Sequence, residues 1–544
     1  MKGLVKDDKR RRHLVLAGLL ALTFVLGTRG IRDESSVMLG GDMARYAMNG
    51  VFVRDLIADG GVSSYGDLAR YAERYYAKYP ALSLGHHPPI PYLSVVPFLW
   101  IFGVTLTAVR MAAVAWFVLA TWGLYSVANR LFSWQVAAWA SALFVTNVVV
   151  LRAGQYLLSE MPMTALAVWS VHALLRFCDR PAASRFIWFA SLVAASVYAK
   201  QLAILMVPVY VTILVVRLGW RSLFNRRSLV AGAFALILIV PMAAMTVALS
   251  PMSFAIAVWN ATRLVGGHRT MPVTRIVSTI ISTHLSVLAM LLTAASIALL
   301  VLRRQAHVWI GLVWILSVIG GSVVFAAATE PARYAFGAMP AYALLIGALA
   351  SEANSRSGKV IATMLLAGTL GWQLWNVRSV YPSGAGGYET AAEYVLAQAK
   401  EPAIFYDSSV DTGYFVFFVR QHDPAGEHIV LRSDKIISKG SVELEQGRAD
   451  LHATLQRLGV RWIVAEERQS GPRMLRMFHE EFAGPRFALR QRIPVVSTSV
   501  PGLNLLVYEY LDARPPDYDA TISINVPLGN RDFELRLRDL VTPR

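Results

Sequence analysis

QVAAWASALFVTNVVVLRAGQYLLSEMPMTALAVWSVHALLR, residues 135–176, holds two apolar runs, 135–151 and 158–176, parted by a short segment with Arg152 and Gln155. A membrane-spanning helix needs roughly 20 predominantly apolar residues. Both runs lie near that length and are almost uniformly apolar, so they read as spans and not as amphipathic helices of a soluble core. Similar runs lie on either side, at 105–129, 186–200, 202–217, 229–250, 276–302, 307–328, 334–350 and 360–379. The first is HLVLAGLLALTFVLGTRG, which follows the basic start MKGLVKDDKRRRH. It could be a secretory signal. It exits into Thr28-Arg29-Gly30-Ile31-Arg32 without a small-residue cleavage pattern and reads as a retained span. The expectation is therefore about eleven spans, with the boundaries near 186–217 the least defined because two runs almost fuse.

Composition agrees. Of 544 residues, 55% are hydrophobic and only 16% charged, and mean hydropathy is +0.47. Soluble domains carry about 25% charged residues. This excludes a disordered chain, a disulfide scaffold and an ordinary cytosolic enzyme. The lone Cys178 rules out an intrachain disulfide and a cysteine-built metal site. The net charge of +17 matches the positive-inside rule and anionic headgroups. No zinc, RNP or helix-turn-helix pattern supports nucleic acid as a partner.

With the N-terminus inside, the loops at Asn129-Arg130, 178–185, 217–227, Arg303-Arg304 and 352–359 are cytoplasmic, and most are basic. The opposite face then carries 31–104, 152–157, 251–275, 329–333 and everything after 380. Arg32, Arg45, Arg54, Arg70, Arg263, Arg269 and Arg333 fall on this outer side, against the charge bias. They suggest an anionic outer ligand or contact with lipid headgroups.

The first outer loop, 31–104, is far longer than a connector. In GGDMARYAMNGVFVRDLIADGG, Asp42, Arg45, Tyr46 and Asn49 share one helical face. YGDLARYAERYYAKYP and then HHPPIPYLSVVPFLWIFG follow, the latter too short to span and suited to the interface. From about 381 the apolar runs shrink to strand length: AIFYD, HIVL, RWIVAEE and LNLLVYEYL. They alternate with the helix-like YETAAEYVLAQAK and ELEQGRADLHATLQRLG. The division expected is a transmembrane module over 1–380 and a soluble extracytoplasmic α/β domain over 381–544. No phosphate-binding glycine loop and no internal repeat is present.

Several residues carry chemistry. Asp42 in an outer loop suits a general base; it also suits a helix start, where the macrodipole favours an acid. Asp33-Glu34 could help hold a metal or orient Asp42, or simply cap the first span. His86-His87, held by Pro88-Pro89, could grip a phosphate or form a plain turn. Glu160 opens a span behind Ser159, a good N-cap residue, yet an ionisable group at a bundle's edge is a functional candidate. Arg333-Tyr334 suit a lipid phosphate or interfacial anchoring. Lys200, between two apolar runs, either snorkels or meets the same phosphate.

Over about 31–200 the chain resembles the GT-C superfamily of membrane glycosyltransferases, in particular the bacterial branch related to protein O-mannosyltransferases and the lipid A aminoarabinose transferase. Asp42, Arg45 and Tyr46 are similar to the family's Asp-Glu-x-Arg-Tyr segment, with Met43 in place of the glutamate. HHPPIPYLSVVPFLWIFG with Val109-Arg110 resembles its Pro-Pro block, with His87 where the aminoarabinose branch has lysine. Glu160-Met161-Pro162 and Arg333-Tyr334 ahead of Met339-Pro340 match its later signatures.

The resemblance implies a polytopic α-helical membrane protein of GT-C type in a bacterial inner membrane. It implies a polyprenyl-phosphate sugar donor and inverting transfer to a glycan, lipid or protein acceptor on the outer face. Asp42 would be the base. His86, His87, Lys200, Arg333 and Tyr334 would form the phosphate site, and Asp33, Glu34, Arg45, Tyr46 and Glu160 would contact acceptor or sugar. No cofactor is demanded, and a divalent metal is compatible. The competing readings are a lipid or glycan transporter, which would need polar residues through the bilayer centre, and a non-catalytic envelope scaffold.

Overall fold

The computed structural model describes residues 2–31, 40–60, 68–84, 87–249, 272–325, 331–352, 355–380, 385–407, 413–433, 444–467, 473–496, 502–526 and 531–541. Asp33, Glu34 and His86 lie outside them. The chain forms two compact units: Met1–Ile31, Gly85–Pro91 and Arg110–Tyr381 in one, Arg32–Leu84, Tyr92–Val109 and Pro382–Arg544 in the other.

The first unit is helical. Among the described residues, eight helices are long and apolar enough to cross a membrane, from Lys9–Thr28 to Arg356–Val377. Two bent pairs raise this to ten: Trp134–Val145 with Val148–Gln155, turning by 68°, and Val273–His284 with Val287–Leu302, turning by 102°. Within the described residues each expected run contains a helix, but Ala183–Ala199 falls just short of a span. The near-fusion at 186–217 resolves at Lys200, whose extended backbone ends one helix and starts the 3-10 turn Gln201–Met206. Ser159 occupies the expected N-cap position, with helical dihedrals, but its side chain makes no capping hydrogen bond.

Inside the bundle, Phe117, Phe144 and Trp314 are fully buried, and the Trp314 indole donates to the Gly337 carbonyl at 2.8 Å. Helix Met339–Glu352 packs on Trp134–Val145 so closely that a Cβ at Gly347 would lie 2.9 Å from the Ala140 nitrogen. Large apolar residues such as Leu236, Ile237, Leu291, Leu302, Trp372 and Trp375 stay exposed, as a lipid-facing surface requires.

The second unit contains five strands in one sheet: β1 (Ala403–Asp407), β2 (Ile429–Arg432), β3 (Trp462–Glu466), β4 (Phe487–Pro494) and β5 (Asn504–Tyr510). Their order is β2-β1-β3-β5-β4. β1 runs parallel to β2 and β3, while β5 runs antiparallel to β3 and β4. β1, β2 and β3 are buried along their length, hence their continuous apolar runs. β6 (Thr521–Val526) and β7 (Arg531–Arg536) pair separately. A division at 381 thus splits a unit that also contains Gly40–Ala58, Leu68–Lys78 and Val96–Phe102. The long loop is a structural part of the α/β unit.

Candidate active site

In the helical unit, three sequence candidates converge. Glu160 opens helix Glu160–Asp179 and is 2% exposed. Its Oε1 accepts from Lys200 Nζ at 2.6 Å and from Arg333 Nε at 2.6 Å. Lys200 Nζ also lies 5.0 Å from the centre of the Tyr334 ring. Lys200 sits at the extended break between Ala183–Ala199 and the 3-10 turn Gln201–Met206, and Arg333 near the start of the candidate span Ala332–Ser351. Glu160 Oε2 is buried and has no hydrogen-bond partner among the described residues. Glu160, grouped above with sugar or acceptor contacts, is here the counter-ion of the two cations. A lysine and an arginine brought to one point are the residue types suited to a phosphate.

A chain of polar contacts that sequence reasoning did not find supports Arg333. Asn147 starts the second half of the first bent pair, its Oδ1 accepting from the Val149 and Val150 amides at 2.9 and 3.3 Å. Its Nδ2 donates to the His284 carbonyl at 2.9 Å, where the second bent pair breaks. The His284 Nε2 lies 2.8 Å from the Ala332 carbonyl, next to Arg333. Asn and His inside apolar stretches were the available signal. Arg110 is likewise 1% exposed and donates to the Gly30 and Ile31 carbonyls at 3.4 Å each. His87 belongs to the same unit and is 6% exposed, directly before the short helix Pro89–Leu93.

In the other unit, Asp42 lies in the first turn of helix Gly40–Ala58. Its carboxylate is 4.0 Å from Arg45, and both remain about one-third exposed, with side-chain values of 30% and 35%. The shared helical face divides by depth. Tyr46 and Asn49 are buried with Met43, and Asn49 accepts from the Ser83 amide at 3.0 Å. Asp42 and Arg45 form its accessible rim. Further along this helix, Asp55 accepts from Arg420 Nε and Nη2 at 3.0 and 2.9 Å and from the Tyr75 hydroxyl at 2.8 Å. Burial, followed by the Asp55 charge, pushes the Tyr75 pKa well up. Burial pulls Lys78 down, partly opposed by Asp423. Glu389, Glu393 and His422 are a group with metal-compatible spacing, their ligand atoms within 4.8 Å of one another. None of the sequence candidates belongs to it.

This architecture defines its class by fold: with eight to ten candidate membrane spans among the described residues, the chain is similar in fold to solved multi-pass membrane proteins. Residues 86–245 match the family described as dolichyl-phosphate-mannose-protein mannosyltransferase. No curated protein sequence matches the chain. ArnT from Cupriavidus metallidurans in the apo state is similar at TM-score 0.58 and 14% identity, over 94% of this chain and all of that one. ArnT bound to undecaprenyl phosphate gives 0.56 and 15%, over 91% and 97%. The archaeal oligosaccharyltransferase AglB from Archaeoglobus fulgidus, in complex with an inhibitory peptide and a dolichol-phosphate, gives 0.52 and 13%, over 84% and 70%.

Proposed function

We propose that the protein transfers a hexose or pentose from a polyprenyl-phosphate donor to a glycan, lipid or protein acceptor, with inversion, at the outer face of a bacterial inner membrane. The N-terminus is then cytoplasmic and the α/β unit extracytoplasmic. The observation that carries this reading is the Lys200–Glu160–Arg333 cluster around the buried Glu160 carboxylate. It brings two cations to one carboxylate, beside the Tyr334 ring. The matches to ArnT with undecaprenyl phosphate and to AglB with a dolichol-phosphate support the donor class.

In this mechanism Asp42 takes the proton of the acceptor hydroxyl or amine. The acceptor atom forms a bond to the anomeric carbon as the bond to the phosphate oxygen breaks. Polyprenyl phosphate leaves with the added negative charge, which Lys200 and Arg333 stabilise, with His86 and His87 as further phosphate contacts. Stabilising developing charge with preset donors is commonly the largest catalytic contribution. Arg45 orients the acceptor at Asp42, while Tyr46, grouped with it in the sequence reading, is buried within the unit; Asp33 and Glu34 precede them in the chain.

The test is release of free polyprenyl phosphate from a panel of polyprenyl-phosphate sugars, followed by mass spectrometry on protein in lipid vesicles. Release that requires an acceptor is expected. Vesicle flux of the donor without release would replace this reading with transport.

A further inference from the structure

The α/β unit contains a polar cleft of about 420 Å³ to which nothing above gives a role. That volume lies within the range of small-molecule sites, roughly 300–1,000 Å³. One wall is the end of helix Gly40–Ala58, another is helix Leu68–Lys78 with Tyr79, and a third includes Arg420 and Gly426. Asp55 is 13 positions after Asp42 on one helix, about 20 Å along its axis at a rise of 1.5 Å per residue.

Two observations point to an absent ligand. The Tyr79 hydroxyl is buried, on a residue only 2% exposed, and has no hydrogen-bond partner among the described residues. Buried polar atoms are nearly always paired, so an orphan in a cleft wall calls for one. Gly426, at φ +66°, is approached closely by two of these groups: a Cβ there would come 2.9 Å from Lys78 Nζ and 3.3 Å from the Tyr79 hydroxyl, so this part of the wall admits no side chain. Finally, the cleft's charges do not match internally. Asp55 is taken by Arg420 and Arg54, Asp59 accepts from the Tyr71 hydroxyl, and Asp539 faces Arg536. Arg74 is exposed and Lys78 donates to the Gly426 carbonyl, yet neither forms an ion pair among the described residues.

We propose that this cleft binds an acidic oligosaccharide, the arm of the acceptor that lies remote from the reacting hydroxyl. Hydroxyls, carboxylates and cations rim it, which suits a ligand with many hydroxyls and a carboxylate. The rings of Tyr71, Tyr75 and Tyr79 are buried against one another, with centroids 6.1 and 5.3 Å apart. They offer edges and hydroxyls but no open face on which a nucleobase could stack. The word acceptor rests on the function proposed above; binding does not.

Calorimetry on the full chain in nanodiscs tests this, with uronate tetrasaccharides (galacturonate, mannuronate and glucuronate types), maltotetraose and inorganic phosphate as probes. At least one uronate tetrasaccharide is expected to bind more tightly than maltotetraose. Tyr79→Phe should weaken it five-fold or more while leaving the melting temperature unchanged or raised, since the hydroxyl has no structural partner to lose. Arg74→Ala should remove the preference for acidic over neutral sugar. Failure of every tetrasaccharide to bind, equal binding by Tyr79→Phe, or phosphate binding as tightly as the tetrasaccharide would each overturn the proposal. Donor turnover, measured separately, distinguishes that result from failure of the transferase reading.

Discussion

Arg333 Nε and Glu160 Oε1 meet at 2.6 Å across 173 residues of chain. The contact joins the start of one span to the short helix before another. Lys200 shares the same oxygen, also at 2.6 Å. Glu160 is buried while both cations stay partly exposed, so removing the carboxylate costs less than the ~3–5 kcal/mol of a fully buried pair. Glu160→Ala is still expected to lower the melting temperature of purified protein, because two cations then face each other. Arg333→Ala should be milder for folding but should reduce kcat/KM for the polyprenyl-phosphate sugar by about 10²–10³-fold, the size of a lost charge-stabilising donor. Unchanged turnover in that variant would remove Arg333 from the phosphate site.

Asp42 and Arg45 are the accessible rim of an otherwise buried helix face, so substitution there disturbs little packing. Asp42→Asn should lower turnover by about 10²–10⁴-fold, the usual contribution of a general base. Donor affinity, read by competition with free polyprenyl phosphate, should change less than two-fold. Loss of donor affinity with turnover preserved at saturation would exclude Asp42 as the base.

Asn147 satisfies two backbone amides and one backbone carbonyl at once. Loss of an N-cap of this kind costs about 1–2 kcal/mol. Asn147→Ala is expected to destabilise by that amount and also to lower kcat with little change in KM, since Arg333 is positioned through His284 and the Ala332 carbonyl. A variant with reduced stability and unaltered kcat would confine Asn147 to a structural role.

His422 accepts its charge readily, because the Glu389 carboxylate at 3.0 Å raises its pKa. A raised folded-state pKa gives stability that is fully present below the ordinary histidine value near 6.5 and is lost as pH rises through the folded value. The melting temperature of the full chain should therefore fall by more between pH 6 and pH 8 (chosen about the ordinary value) than it does for Glu389→Gln. Parallel pH profiles of the two proteins would rule this pair out as a contributor.

The parts of the site readable in the sequence were those breaking a simple background. Glu160, Lys200 and Arg333 are charges at the ends of apolar runs, and charge there is expensive enough to stand out. Asn147 and His284 were harder, since single polar residues in apolar runs usually bond to their own helix. Asp55 and Arg420 carried no signal: each looks like an ordinary surface charge, and 365 residues separate them. β4 was missed for a similar reason. As an edge strand with exposed Arg490, Gln491 and Arg492, it lacks an apolar run. The separate β6–β7 pair also lacks one.

The sequence by itself did not place the tail helices Tyr414–His422 and Arg473–Phe482, but it determined the membrane class, the position of nearly every membrane helix and the α/β nature of the C-terminal region. These follow from local hydrophobicity and its period, which water and lipid impose segment by segment. Only the tertiary structure decided where the helices bend and that three distant charges share one carboxylate. It also decided that the long loop at 32–84 joins the tail in one compact unit. Those outcomes depend on pairing between residues far apart in the chain. Buried charges and polar groups must find partners, and no local pattern names them.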